Sequence, residues 1–147
     1  MTVPYEQDLY AWTFENTQLL REGRFTEVDV VNLIDELESM ANRDKRELFS
    51  RIIVLLSHLL KWQFRANKRS RSWERTMAEQ RHQIEYILAD SPTLHSKLAE
   101  KLGDLYARAV TQASYETRLS LKRFPATCPY TVEQALDEDF YPELVLN

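Results

Sequence analysis

His58 is the first residue whose type and setting suggest chemistry, with Asp35, Glu36 and Glu38 clustered some twenty residues upstream. A histidine held by a carboxylate can act as an acid–base pair or supply part of a metal site. At 100° per residue His58 falls about 100° from the centre of its apolar stripe, at the core boundary beside Arg51, Leu55 and Trp62. On the preceding expected helix Asp35 points outward, whereas Glu36 flanks the core together with Asp29. A Glu36–His58 contact is therefore open if the two helices are neighbours. Diiron bundles take two Glu-x-x-His motifs from facing helices, and the chain does not carry two. A His-Glu-x-x-His zinc motif is absent. His82 falls on an outer helix face and His95 is isolated, so a structural boundary histidine is the preferred reading of His58.

A second cluster is cationic. Residues 61–82 hold seven basic side chains (Lys61, Arg65, Lys68, Arg69, Arg71, Arg75 and Arg81) against Glu74 and Glu79, a net +5. Trp62, Phe64 and Trp73 are interleaved, and cations that track phosphates beside aromatics that stack on bases describe a nucleic-acid surface. Against that, Trp62 and Trp73 lie on apolar stripes, and Lys61 and Arg65 suit the negative end of a helix dipole. The solvated helix end is the simpler reading. Arg81 is expected to pair with Glu85 at i+4, or with an acid on the second helix. Cys128 has no basic neighbour in sequence to lower its thiol pKa, so an inert thiol is expected. With Gly23 and Gly103 as the only glycines, phosphate-cradling glycine loops are excluded, and CxxC pairs and nucleophile elbows are absent.

The elements that must position these groups are helical. Two glycines and five prolines in 147 residues argue against an all-β fold. Leu48–Phe64 carries eleven apolar residues in seventeen. Leu48, Ile52, Leu55, Leu56, Leu59 and Trp62 form one stripe, which Phe49, Ile53, Leu60 and Phe64 widen to roughly 200° of the circumference. This stretch is read as the central helix of a bundle, too short and too charged to span a membrane. Around it the spacing predicts a first helix from Pro4 to Glu22, closed by Gly23, and a second from Thr26 to Ala41 with Thr26 as its cap. Val30, Ile34, Leu37 and Ala41 are expected to face inward, with Leu33 and Met40 beside them. A break at Asn42 precedes the central helix, although a continuous helix also fits. A fourth helix is expected over Trp73–Ala89 with Ser72 as cap, and a fifth over Pro92–Leu119. An irregular segment then leads to a helical turn with a Thr131–Gln134 capping box. Phe140 and Tyr141 are expected to anchor the acidic end.

Several landmarks together resemble the uncharacterised helical family known as domain of unknown function 29, common in cyanobacteria. They are Tyr5-Glu6-Gln7-Asp8 with Trp12, Leu19-Leu20-Arg21 with Gly23-Arg24-Phe25, and Leu33 through Met40 (LIDELESM). Further on come His58-Leu59-Leu60-Lys61-Trp62, Ser72-Trp73, Ser91-Pro92, Pro125, Cys128-Pro129, Asp137 and Phe140-Tyr141-Pro142. The resemblance covers nearly the whole chain and implies an all-α single domain with no established activity. A glycine commonly closes the second helix in that family, where Asn42 stands here.

The expected fold is therefore an all-α, single-domain bundle of about five helices, with core helices over about 4–119 and an irregular acidic segment over 120–147. One cysteine cannot form an internal disulfide, and MTVPYEQDLYAW has neither a basic n-region nor an apolar h-region, so a cytoplasmic setting is expected. Charge is uneven: residues 1–38 hold nine acids and two bases, a net −7, within a total of −4. Separated acidic and basic regions suit a protein partner or self-association. The functional expectation is a protein–protein interaction module without catalysis or cofactor and away from membranes. The alternatives are nucleic-acid binding through 61–75 and a carboxylate–histidine enzyme or metal site at Glu36 and His58.

Overall fold

The computed structural model describes residues 3–145. Among them are five α-helices and no strand: α1 (Leu9–Arg21), α2 (Val30–Phe64), α3 (Arg71–Asp90), α4 (Leu94–Thr117) and α5 (Val132–Leu136). The all-α bundle of about five helices is thus the fold, but the five are partitioned differently from expectation. The break at Asn42 does not exist. Helices expected on either side of it form one 35-residue helix, because no Gly or Pro occurs between Val30 and Phe64 and Asn is tolerated inside a helix at modest cost. The chain divides into two compact units, one ending at Arg43 and the other beginning at Asp44.

In the first unit α1 begins at Leu9 rather than Pro4, because the Asp8 carboxylate accepts from Ala11 N at 3.0 Å and caps it. Gly23, at φ +72°, closes α1 as expected. Arg24 N donates to Leu19 O and Gly23 N to Leu20 O, a pairing that satisfies two of the end carbonyls. Thr26 is not the cap of α2; it lies in a 3-10 turn, Phe25–Glu27, and Asp29 takes the capping position. One carboxylate oxygen of Asp29 accepts from Asn32 N, while the other accepts from Asn32 Nδ2 and Trp12 Nε1, both at 2.8 Å. Trp12, Asn16 and Leu19 are the buried face of α1.

The second unit holds the main core. Leu48, Ile52, Leu55, Leu56, Leu59 and Leu60 of α2 are 0–1% exposed and pack with Met77 and Ile84 of α3 and with Leu98, Leu105, Tyr106, Ala109 and Ala113 of α4. Leu48–Phe64 is therefore the central apolar helix segment, and the two alanines of α4 belong to the same cluster, where their small side chains permit close approach. Ser70, not Ser72, caps α3, accepting from Trp73 N, so the helix starts at Arg71. α4 stops at Thr117, short of Leu119, because Arg118 turns left-handed at φ 63°. The Thr131–Gln134 capping box opens α5 as expected. Beyond it Phe140 packs against the core with its ring 5.9 Å from that of Tyr130, and the Tyr141 ring lies 5.0 Å from that of Trp62.

Candidate functional site

Two features stand out. The first is an apolar stripe on the first eleven residues of α2. Val30, Ile34, Leu37 and Met40 recur at helical spacing and should be covered on any soluble protein. They are instead 48–53% exposed, and Val31 is 74% exposed. The expectation that this face points inward is overturned. The physical reason lies in α1, whose Trp12 and Asn16 are committed to hydrogen bonds with Asp29 at the start of α2 rather than to the apolar stripe. Glu36 accepts from the hydroxyl of Tyr5, which precedes α1. That bond holds the Tyr5 hydroxyl pKa above its ordinary value, with the Glu36 charge adding to it. Glu38, exposed, flanks the bare stripe on its other side, whereas Asp35 lies nearly opposite it.

Glu36 and His58 do not form the pair left open by the sequence. Both belong to α2, twenty-two positions apart, rather than to two neighbouring helices. Each has other partners. His58 Nδ1 lies 2.9 Å from the Val54 carbonyl, which only accepts, so the proton resides on Nδ1. Burial lowers the His58 pKa, the Val54 carbonyl works against that, and the Lys61 charge adds to the lowering. Among the described residues no group of three or more His, Cys, Asp or Glu is placed to hold a metal ion.

The second feature is a cavity of about 420 Å³ lined by Lys61, Arg65, Lys68, Trp73, Glu116, Thr117 and Arg118. Its inner wall is an ion pair between a buried lysine and a more exposed glutamate: Lys61 Nζ donates to Glu116 Oε2 at 2.6 Å and lies 5.0 Å from the centroid of the Trp73 ring. Burial opposes ionisation of Glu116, but hydrogen bonds from Lys61 and Gln112 outweigh it and leave the carboxyl pKa below its ordinary value. Trp73, expected in the core, is half-buried and forms part of the wall. Glu116 and Arg118 were absent from the sequence-based candidates. The legible signal for Glu116 was an acid in the last turn of a helix, the end whose dipole disfavours it. Arg118 carried no such signal, because its left-handed backbone is a property of the structure.

The basic run does not act as one surface. Lys61, Arg65 and Lys68 line the cavity, but Arg69 is committed elsewhere. Its Nε donates to the Trp62 carbonyl at 2.8 Å and its guanidinium lies 4.6 Å from the Trp62 ring centroid. Arg75 lines a separate cleft with Ser72, Thr76, Glu79 and Gln80, and Arg71 is exposed at the start of α3. Arg81 does not pair with Glu85. It is 4% exposed and donates to the carbonyls of Ala135 (2.8 Å) and Phe140 (2.7 Å), with a longer contact to Glu138 O. Cys128 is half-buried, burial raises its pKa, and its thiol contacts the Tyr130 carbonyl, as suits an inert thiol.

Among the described residues no helix is long and apolar enough to cross a membrane. The family model described as domain of unknown function DUF29 matches residues 4–141, so the chain belongs to that family. No curated protein and no solved structure matches the chain.

Proposed function

We propose that this member of the family is a cytoplasmic protein–protein interaction module, and that the bare stripe Val30–Ile34–Leu37–Met40 is its docking face. The observation that carries the reading is that four consecutive stripe positions on one helix are about half exposed, while Asp29 and Glu36 are half-buried and hydrogen-bonded to Trp12 and Tyr5. Apolar faces of this kind on soluble proteins mark interaction sites. Charge decides the occupant. Residues 1–43 hold nine acids and three bases, a net −6, and one of those acids, Glu38, borders the stripe. A second copy docked stripe to stripe would set −6 against −6, whereas a basic amphipathic helix would satisfy both the stripe and its rim. The partner is therefore a protein that presents such a helix. The cytoplasmic setting rests on the single cysteine.

The test uses two amphipathic 20-residue probe peptides with the same leucine stripe, one flanked by lysine and one by glutamate. The lysine peptide should bind the intact protein at least tenfold more tightly, and Leu37→Glu should abolish binding without lowering the melting temperature. Equal binding of both peptides, or none, would sink the reading. So would a homodimer by light scattering that Leu37→Glu dissociates, which would assign the stripe to a second copy.

A further inference from the structure

We propose that the cavity between the ends of α2 and α4 binds a small phosphorylated ligand through Arg65, Lys68 and Arg118. Four cations line it against one carboxylate, Glu116. The bland explanation is that they neutralise the C-terminal ends of α2 and α4. Each helix end is worth about half a negative charge, so two ends and Glu116 amount to about −2. Against four positive charges, about +2 remains without a counter-ion. Among the described residues only Lys61 of the four has a hydrogen-bonded or ion-paired side chain. The other three are left facing the cavity.

A second observation comes from the backbone. Arg118 has φ 63°, a left-handed conformation that glycine adopts without penalty and a side chain does not. It is the sole non-glycine residue with positive φ among the described residues, and it lies on this cavity. Strain at a site wall motivates a functional reading of the side chain that causes it. The ligand class follows from shape. A cavity of about 420 Å³ lies in the range of small-ligand pockets. Arg71 and Arg75 do not line it, so the free charge is gathered in one concavity rather than strung along a track for a nucleic-acid backbone. The Trp73 ring and the Lys61–Glu116 pair form the inner wall, and the guanidinium groups of Arg65 and Arg118 supply the planar donors that suit phosphate oxygens.

The experiment is a ¹H–¹⁵N NMR titration of the intact protein at low salt with adenosine monophosphate, inorganic phosphate and unphosphorylated adenosine. Adenosine monophosphate should shift the Trp73 indole and the amides of Lys68, Thr117 and Arg118, and adenosine should shift none of them. Arg118→Gly removes the cation while easing the backbone, so it should weaken binding at least fivefold with an unchanged or raised melting temperature. Lys68→Gln, at an exposed position, should weaken it similarly. Absence of shifts at millimolar ligand, or full binding by Arg118→Gly, would overturn the proposal. So would tighter binding of a single-stranded oligonucleotide that requires Arg71 and Arg75, which would assign the charge to nucleic acid.

Discussion

Lys61 and Glu116, fifty-five residues apart in sequence, meet through a 2.6 Å hydrogen bond, with the lysine side chain 6% and the glutamate side chain 35% exposed. The asymmetry determines what the pair is worth. Removing one partner from a fully buried pair costs about 3–5 kcal/mol, because the remaining charge is stranded. Here Glu116 can recover water. Lys61→Met, which keeps the apolar stem against Trp73, should therefore cost about 1–2 kcal/mol in urea unfolding. A loss above that range would mean that Glu116 is as secluded as its partner.

His58 and Glu116 give stability two separate pH windows. Burial depresses the His58 pKa in the folded state below the ordinary 6.5. The folded state then binds fewer protons than the unfolded one, so stability is fully present above pH 6.5 and declines as pH falls through the folded value. Glu116 is also depressed, below the ordinary 4.5, so its contribution is present above 4.5 and is lost on further acidification. His58→Gln should flatten the urea midpoint just below pH 6.5 and leave the acid limb. A wild-type His58 Cε1 resonance, assigned by its loss in His58→Gln, that titrates above 6.5 would contradict the assignment.

Arg81 fixes the C-terminal segment by donating to backbone carbonyls that no shorter side chain reaches together. Arg81→Lys retains charge but loses the planar fork, and should cost about 2–3 kcal/mol by stranding buried carbonyls. Hydrogen exchange should accelerate over residues 135–142 more than in α4. Uniform acceleration across the bundle would show that the arginine supports the core rather than the segment.

The parts of the fold that sequence reveals are those governed by local period and capping. Leu48–Leu60, the Gly23 turn and the Thr131–Gln134 box were legible because each rests on neighbours a few residues away. Periodicity also found the Val30–Met40 stripe, but period identifies an apolar face without saying what covers it. The cavity was half legible. Lys61, Arg65 and Lys68 showed as cations, whereas Glu116 and Arg118 join them only through the long-range packing of α4. Arg81 illustrates the same limit, since its partners are carbonyls more than fifty residues away that have no side-chain signature.

Asn42 provides the sharpest test of α2. In a helix interior Asn costs about 0.6 kcal/mol and Gly about 1 kcal/mol relative to Ala. At a left-handed break the order reverses, because Gly adopts positive φ freely and Ala is the poorest of the three. Residues 30–64 are helical without interruption, and Asn42 is exposed, so packing does not obscure the propensity. Asn42→Ala should therefore stabilise the protein by about 0.5 kcal/mol, and Asn42→Gly should destabilise it by a few tenths, in urea unfolding followed by circular dichroism. Stabilisation by glycine and a loss with alanine would instead place a turn at Asn42 and divide α2 into the two helices that its sequence also permits.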